Sequence, residues 1–312
     1  VIWSVKELDY FFIFAMLKNC IYFIGEYIGR NYPKAWVSFR YFIRFHKKLH
    51  WKNPQNLNEK ILYLSLKTDT TMWTDLADKY KVREYVERCG YGDSLVKLYG
   101  KWDNAFDIDF DQLPSSFVLK TNHGSGEIKL IKNKSNIDKE ALITYFNNEI
   151  SKPYGEIEGG KHYFRIKPCI IAEEMLLNDL LSTRFSSSII DYKFWCFNGK
   201  VHYVFVCSNR NKRSLDILLY DKNWNIHPEY LNFSSHYKRA KFIPKPQNYE
   251  KMIEMAETLA HPFPCVRVDL YNIGGKIYFG EMTFTSLGGL MNYFTNEFLE
   301  KTGQLIDLNY KG

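Results

Sequence analysis

A chain of 312 residues and 37.0 kDa, 46% hydrophobic and 17% aromatic, holds enough apolar material for one large domain or two to three small ones and is not intrinsically disordered. Its net charge of +7 and pI near 8.8 favour anionic partners such as nucleotides, acidic sugars or a membrane surface without choosing among them. The six cysteines (Cys20, Cys89, Cys169, Cys196, Cys207, Cys265) include no C-x-x-C pair, which excludes zinc-ribbon and thioredoxin-like readings and leaves reduced thiols of a cytoplasmic protein as the expectation.

Residues 10–17 form an apolar run and 21–24 a second, interrupted by Lys18-Asn19 and followed by Glu26. That is too short and too broken for a transmembrane helix, and with no basic start and no small-residue cleavage site it does not read as a signal peptide. A basic stretch follows, with Arg30, Lys34, Arg40, Arg44, Lys47, Lys48 and Lys52. Two readings are open: an aromatic helix lying on a membrane surface, and a helix docked on the body of the protein, the second being preferred.

Residues 1–70 read as mostly helical, broken at Pro54, with Asn58 as cap before Glu59, and 76–88 as one charged amphipathic helix. Strands are expected at 117–121 and 128–131 around a loop at 122–126, then a helix over 138–150 and a buried strand at 170–173. Asn198-Gly199 between 192–197 and 201–207 is a strong hairpin signal, 208–248 reads as loop-rich, and 250–259 is a helix. The strand–helix alternation of a doubly wound fold is missing. The expected class is α+β with antiparallel hairpins, preceded by a helical N-terminal region.

Two consecutive strand-like stretches carry Asp269 (Val266-Arg267-Val268-Asp269-Leu270-Tyr271) and Glu281 (Ile277-Tyr278-Phe279-Gly280-Glu281-Met282-Thr283-Phe284). Period-two alternation sets Val266, Val268 and Leu270 on one face and Arg267 and Asp269 on the other; on the second strand it groups Tyr278, Met282 and Phe284, leaving Glu281 and Thr283 with Phe279. An odd-length connection would place Asp269 opposite Glu281, whereas a two-residue Gly274-Gly275 turn would split them; the odd loop is expected because it buries both apolar sets together. Paired carboxylates repel unless a cation neutralises them, and hard Mg²⁺ or Mn²⁺ suits such oxygens. A merely solvated outer face is the alternative.

Further upstream, Lys120 ends a strand before the small-residue loop Asn122-His123-Gly124-Ser125-Gly126, whose amides could close over phosphates, although it is not a Walker loop. Glu173-Glu174-Met175-Leu176 ends an apolar strand in a form that could hold an adenine edge. Asp191 and Lys193 share a strand face and suit a ribose hydroxyl and a phosphate, an ordinary ion pair being the rival explanation.

This order resembles the ATP-grasp superfamily. The stretches at 77–86, 113–126, Asp191-Tyr192-Lys193-Phe194 with Phe197-Asn198-Gly199-Lys200, 267–271 and 279–284 are similar to its TupA-like (teichuronopeptide and surface-polysaccharide biosynthesis) family, over roughly residues 50 to 300. The resemblance implies an ATP-grasp fold with ATP held between two α+β subdomains. It implies a helical part at 1–70 facing membrane or glycan, a first ATP-grasp part with the glycine-rich lid at 71–175, and a C-terminal subdomain with the metal site at 176–312. It further implies Lys120 on the ATP phosphates beneath the 122–126 lid (His123, Gly124, Ser125, Gly126), Lys79 or Arg83 as an earlier phosphate contact, and Glu173, Glu174, Met175 and Leu176 as the adenine hinge. Asp191 would take the ribose, Lys193 a phosphate, Asp269 and Glu281 magnesium, and Arg267 the transferred phosphate or an oxyanion. Where the superfamily usually carries asparagine, this chain has Thr283, which puts the third metal ligand in question. The implied activity is an ATP-dependent carboxylate–amine ligase of capsule, O-antigen or teichuronic-type polymer synthesis. It would join an amino acid or amine to an acidic sugar through an acyl phosphate at the cytoplasmic membrane face, with the basic N-terminal region recognising an acidic glycan or its lipid-linked form. A glycosyltransferase of polysaccharide synthesis and an ATP-grasp kinase are the alternatives; no nucleic-acid partner is expected.

Overall fold

The computed structural model describes residues 23–156 and 158–312. The apolar run at 10–17 and the first half of that at 21–24 lie outside the described residues. No helix among the described residues is long and apolar enough to cross a membrane.

Residues 23–31 are helical, and helices Pro33–Phe45 and Leu57–Lys67 follow. The cap of the latter is Asn56 rather than Asn58: the Asn56 side chain accepts the Glu59 amide at 3.0 Å. Asn58 lies inside the first turn, buried, and exchanges hydrogen bonds with the backbone of Met291 at 3.0 and 3.1 Å. The single helix expected at 76–88 is two, Thr71–Ala77 and Val82–Arg88. Asp78 breaks it, because its carboxylate accepts the amides of Tyr80 and Lys81 at 2.8 and 3.2 Å and so offers the backbone a competing turn.

Four antiparallel strands, β1 (Leu98–Trp102), β2 (Phe117–Thr121), β3 (Ile128–Ile131) and β4 (Ile170–Glu173), form a sheet in the order β1-β4-β2-β3. Phe117, Leu119, Ile170 and Ala172 pack in one cluster with Phe146 of helix Lys139–Ile150. The β1 strand carried no sequence signal, since its five residues are all half-buried and show no alternation.

The second sheet comprises β5 (Asp191–Phe197), β6 (Lys200–Ser208), β7 (Leu215–Asp221), β8 (Tyr237–Arg239), β9 (Cys265–Ile273) and β10 (Lys276–Thr283). Its order is β10-β9-β5-β6-β7-β8, antiparallel except for β7 with β8. Asn198 and Gly199, both with positive φ, make the β5–β6 turn. The 208–248 segment, expected to be loop-rich, contains β7 and β8; Ile217 to Tyr220 are buried on both faces, so the alternation that betrays a half-exposed strand is absent. Phe194, Val204, Val268 and Met282 occupy neighbouring register positions under helix Tyr249–Ala260. On the opposite face Trp195, Tyr203 and Phe205 are covered by Tyr293, Phe294 and Phe298. Lys193 and Asp269 share this second face.

The acidic hairpin reaches the expected pairing by a different route. Its turn is the two-residue Gly274-Gly275, both at positive φ, with Ile273 opposite Lys276. The odd loop is therefore wrong. Asp269 nevertheless pairs with Glu281, because a β-bulge between Phe279 and Glu281 restores the parity that the even turn removes. Phe279, opposite Leu270, consequently joins Met282 in the core, and Tyr278, opposite Tyr271, lies off it, the reverse of the simple alternation. Gly280 allows the bulge: a Cβ there would lie 2.9 Å from the Asp269 carbonyl oxygen and 3.3 Å from the Tyr271 ring.

Gly280→Val should lower stability by about 1–3 kcal/mol, read as a shift of the urea midpoint at unchanged slope. His162, on the short helix Lys161–Phe164, is fully buried against Trp73 and Tyr163 with neither ring nitrogen hydrogen-bonded, and burial holds its pKa down at about 3. The unfolded chain takes up that proton near the ordinary 6.5, so between those values the unfolded state binds more protons and stability falls as pH falls. His162→Phe should shrink the difference in urea midpoint between pH 7 and pH 5.

Candidate functional site

Three strands bring a row of charges to one face of the larger sheet. On β9, Arg267 holds Asp269 with two bonds, Nε to Oδ1 at 2.6 Å and Nη2 to Oδ2 at 2.7 Å. The same Nη2 reaches Glu281 Oε1 and Thr283 Oγ1 of β10, each at 3.0 Å, and Nη1 donates to Ser286 Oγ at 2.5 Å. From β5, the Lys193 ammonium lies between Asp269 Oδ2, in very close contact, and Asp191 Oδ2 at 2.6 Å. Arg210 closes the row on Asp191 at 3.4 Å. Cations and anions alternate in the sequence Arg210, Asp191, Lys193, Asp269, Arg267, Glu281.

Burial sets how these groups titrate. Desolvation acts to raise the pKa of Asp269, but Arg267 and Lys193 outweigh it and hold the carboxyl down at about 2. Burial acts to lower that of Lys193 and is overcome by Asp191 and Asp269, so the ammonium stays charged. Arg267 is likewise held in its cationic form against burial, by Asp269 first. Asp191 moves the other way: burial raises its pKa, and Lys193, which it shares with Asp269, opposes this only in part. Its second oxygen, Oδ1, is buried and has no hydrogen-bond partner.

The smaller sheet contributes a second group. Lys120 on β2 contacts Glu173 Oε2 at 2.5 Å, and Arg83 reaches Glu173 Oε1 at 3.5 Å. Freed from the helix by the Asp78 turn, Lys79 donates its backbone N–H to the Asn122 carbonyl at 3.1 Å and its ammonium to the Gly124 carbonyl. That ammonium lies deep although the residue as a whole is only half-buried. Burial lowers its pKa, the Lys120 charge adds to that, and Glu281 first, then Glu127 and Asp78, oppose it. Lys79 thus sits between the two sheets, within the field of both.

The 122–126 loop is firm at its base and open at its tip. Asn122 is buried, bonding Asp78, the Lys167 carbonyl and the Cys169 amide at 2.9, 3.0 and 2.7 Å. His123 is buried edge-on to Tyr154, and its pKa is lowered by burial. A Cβ on Gly124 would meet Glu127 Oε2 at 2.0 Å, whereas Ser125 and Gly126 are exposed, the latter at positive φ with open space around it. At the end of β4, Glu173 turns inward to its two cations; Glu174 is exposed, and Met175 and Leu176 are half-buried. Beyond them Asp179 accepts the Gly274 amide at 2.9 Å and ties this segment to the β9–β10 turn.

The structure therefore gathers Asp191, Lys193, Arg267, Asp269, Glu281 and Thr283 in one cluster, and Lys79, Arg83, Lys120 and Glu173 in another. Sequence reasoning missed Arg210, Ser286, Asp78, Glu127 and Asp179, each of which sits on a turn or loop outside the strand alternation. Among the described residues no group of three or more His, Cys, Asp or Glu could hold a metal ion. The oxygens of Asp269, Glu281 and Thr283 still form a donor set that suits a hard divalent ion, and the Glu281 carboxylate is 42% exposed. Arg267 Nη2 now bonds all three of those side chains, so an ion there competes with a guanidinium.

A family model described as TupA-like ATPgrasp matches residues 59–307. No curated protein matches the chain. Among solved structures, D-alanine–D-alanine ligase from Helicobacter pylori is similar at 16% identity over 74% of this chain and 61% of that one, with a TM-score of 0.37. The ATP-complexed D-alanine–D-alanine ligase from Bacillus anthracis is 13% identical over 74% and 60%, with a TM-score of 0.39. An L-amino acid ligase from Bacillus licheniformis is 13% identical over 91% and 62%, with a TM-score of 0.48. The chain spans about three-fifths of the length of these three, and no residue role is carried over from them.

Removing Lys193 would leave two buried carboxylates facing each other. Lys193→Met should cost about 3–5 kcal/mol in urea unfolding at neutral pH. Asp191→Asn should cost clearly less, since burial already draws that carboxyl toward its neutral form.

Proposed function

Because the chain belongs to the TupA-like ATP-grasp family, we propose that it is an ATP-dependent ligase that joins a carboxylate to an amine. The single observation carrying this reading is that Lys79, with Lys120 beside it, lies within the field of Glu281 at the end of the Lys193–Asp269–Arg267–Glu281 row. A triphosphate between the sheets would find ammonium groups on both flanks and carboxylates positioned for a hard cation.

In the proposed reaction an oxygen of the substrate carboxylate attacks the γ-phosphorus of ATP and the bond to the β-phosphate oxygen breaks, giving an acyl phosphate and ADP. The amine then attacks the acyl carbon, loses a proton and expels phosphate, forming the amide. Lys120 and Lys79 would bind phosphate oxygens, which requires Lys120 to exchange part of its contact with Glu173. Lys193 is held charged at the edge of the same face. Arg267 would turn one N–H from Glu281 to the transferred phosphoryl group or the developing oxyanion while Nε stays on Asp269. Asp269, Glu281 and the Thr283 hydroxyl would hold Mg²⁺ or Mn²⁺, which when bound offsets the negative charge of the phosphates. The unpartnered Asp191 oxygen would accept a ribose hydroxyl, and the 173–176 edge would take the adenine. The exposed tip at Ser125 and Gly126 would close over the phosphates, with Gly124 and His123 forming its base, and exclude water that would hydrolyse the acyl phosphate.

The family's link to surface polysaccharides supports an acidic sugar as the carboxylate and an amino acid or amine as its partner, with the reaction on the ATP-containing, cytoplasmic side of the membrane. The test is ATP turnover across paired uronic acids and amino acids, with mass detection of the product. ADP and phosphate should appear in equal amounts, only when both substrates are present, with the coupled amide. Asp269→Asn and Glu281→Gln should each lower that rate by roughly 100-fold or more. ADP release without phosphate would make it a kinase, and sugar-nucleotide turnover without ATP a glycosyltransferase; either overturns the ligase.

A further inference from the structure

The N-terminal helices have one face bound to the body and another bound to nothing described. Inward, Val37 and Tyr41 pack with Leu62 and Leu290. The Tyr41 hydroxyl accepts from Asn56 Nδ2 at 3.0 Å, and Arg30 pairs with Glu156 at 3.2 Å. Gly29 permits an approach so close that a Cβ there would lie 1.9 Å from the Glu156 carbonyl oxygen. The helix reading made of residues 10–24 falls almost wholly outside the described residues and is separate from this packing.

The outer face has a different chemistry. Phe39, Phe42 and Ile43 of helix Pro33–Phe45 stand at i, i+3 and i+4, so they share one stripe, and they are exposed at 55%, 50% and 57%. The preceding helical segment exposes Phe23, Ile24 and Tyr27 as well. Between Glu26 and Glu59 the chain has no acidic residue and seven Lys or Arg, of which Lys47, Lys48 and Lys52 lie beyond the C-terminal end of helix Pro33–Phe45 and are exposed. A solvated helix has no use for three large apolar side chains in a row. An acidic glycan would be met by the cations but not by the phenylalanines. A surface that combines anionic groups with an apolar interior meets both.

We propose that this face rests on an anionic phospholipid bilayer. Phe39, Phe42 and Ile43 enter the boundary between headgroups and acyl chains, and Lys47 and Lys48, just beyond the end of the helix, lie against the phosphates. Docking through Val37 and Tyr41 makes the contact rigid with respect to the body, so the membrane holds the enzyme in one orientation. The inference is independent of the ligase reading.

The test is co-sedimentation of the full chain with phosphatidylcholine vesicles containing or lacking phosphatidylglycerol, at low and high salt. Binding should require phosphatidylglycerol, weaken with salt, and fall roughly 10-fold or more in Phe39→Ser/Phe42→Ser/Ile43→Ser and in Lys47→Glu/Lys48→Glu. All five positions are exposed, and an unchanged circular dichroism spectrum and melting temperature will confirm that the variants fold. Four outcomes would overturn the proposal. These are no binding to anionic vesicles, binding unaltered in both variants (which places the contact elsewhere, residues 1–22 included), a change of oligomeric state in the apolar variant in place of lost vesicle binding, and capture of soluble acidic polysaccharide with no affinity for vesicles.

Discussion

The alternation of charge from Arg210 through Asp191, Lys193, Asp269 and Arg267 to Glu281 is the constraint on which the site depends. Each inner member is buried and would be costly alone; neighbours of opposite sign hold Lys193, Asp269 and Arg267 charged and oppose the upward pull of burial on Asp191. Such a row adds little net stability, because desolvation consumes most of the attraction. Its value lies in specificity: strands β5, β9 and β10 have one register in which every charge meets its complement, and a slip by one residue would bury unpaired ions.

That register is achieved by compensation. An even turn at Gly274-Gly275 and a bulge at Gly280 each shift the alternation by one, and together they leave Asp269 opposite Glu281. Both devices rely on glycine, for positive φ in the turn and for close backbone approach at the bulge. The bulge also brings Phe279 into the core beside Met282, so the metal-type face and the packed face of β10 are fixed by the same distortion.

In this ATP-grasp protein Lys79, which follows the turn made by Asp78, bonds the loop at Asn122 and Gly124 and lies within the field of Glu281 on the second sheet. One acid creates the turn, supports Asn122 at the base of the loop, and thereby joins the first sheet's glycine loop to the second sheet's carboxylates. The Lys120–Glu173 and Arg267–Glu281 pairs are what a bound nucleotide would have to rearrange. On the proposed function they are the contacts that a triphosphate and a cation would replace. On helix Pro33–Phe45, Val37 and Tyr41 are committed to packing with Leu62 and Leu290, while Phe39, Phe42 and Ile43 are exposed.

Much of this was legible in the chain. Ordered motifs carried the family, the class and most of the cluster, because strand alternation and the residues around Asp191, Lys193, Arg267, Asp269 and Glu281 are local patterns. Asn198-Gly199 announced its hairpin for the same reason. The sequence was silent or misleading where a residue's role depends on something remote. Half-buried β1 and doubly buried β7 have no alternation to read, Asn58 looked like a cap until Met291 was seen to claim it, and Ser286 and Arg210 enter the site from loops with no period. By itself the sequence determined which residues form the acidic hairpin and the small-residue loop between β2 and β3. Only tertiary structure decided that Asp269 and Glu281 face each other through a bulge, with Arg267 between them, since register and charge pairing are set by contacts between strands and not along one.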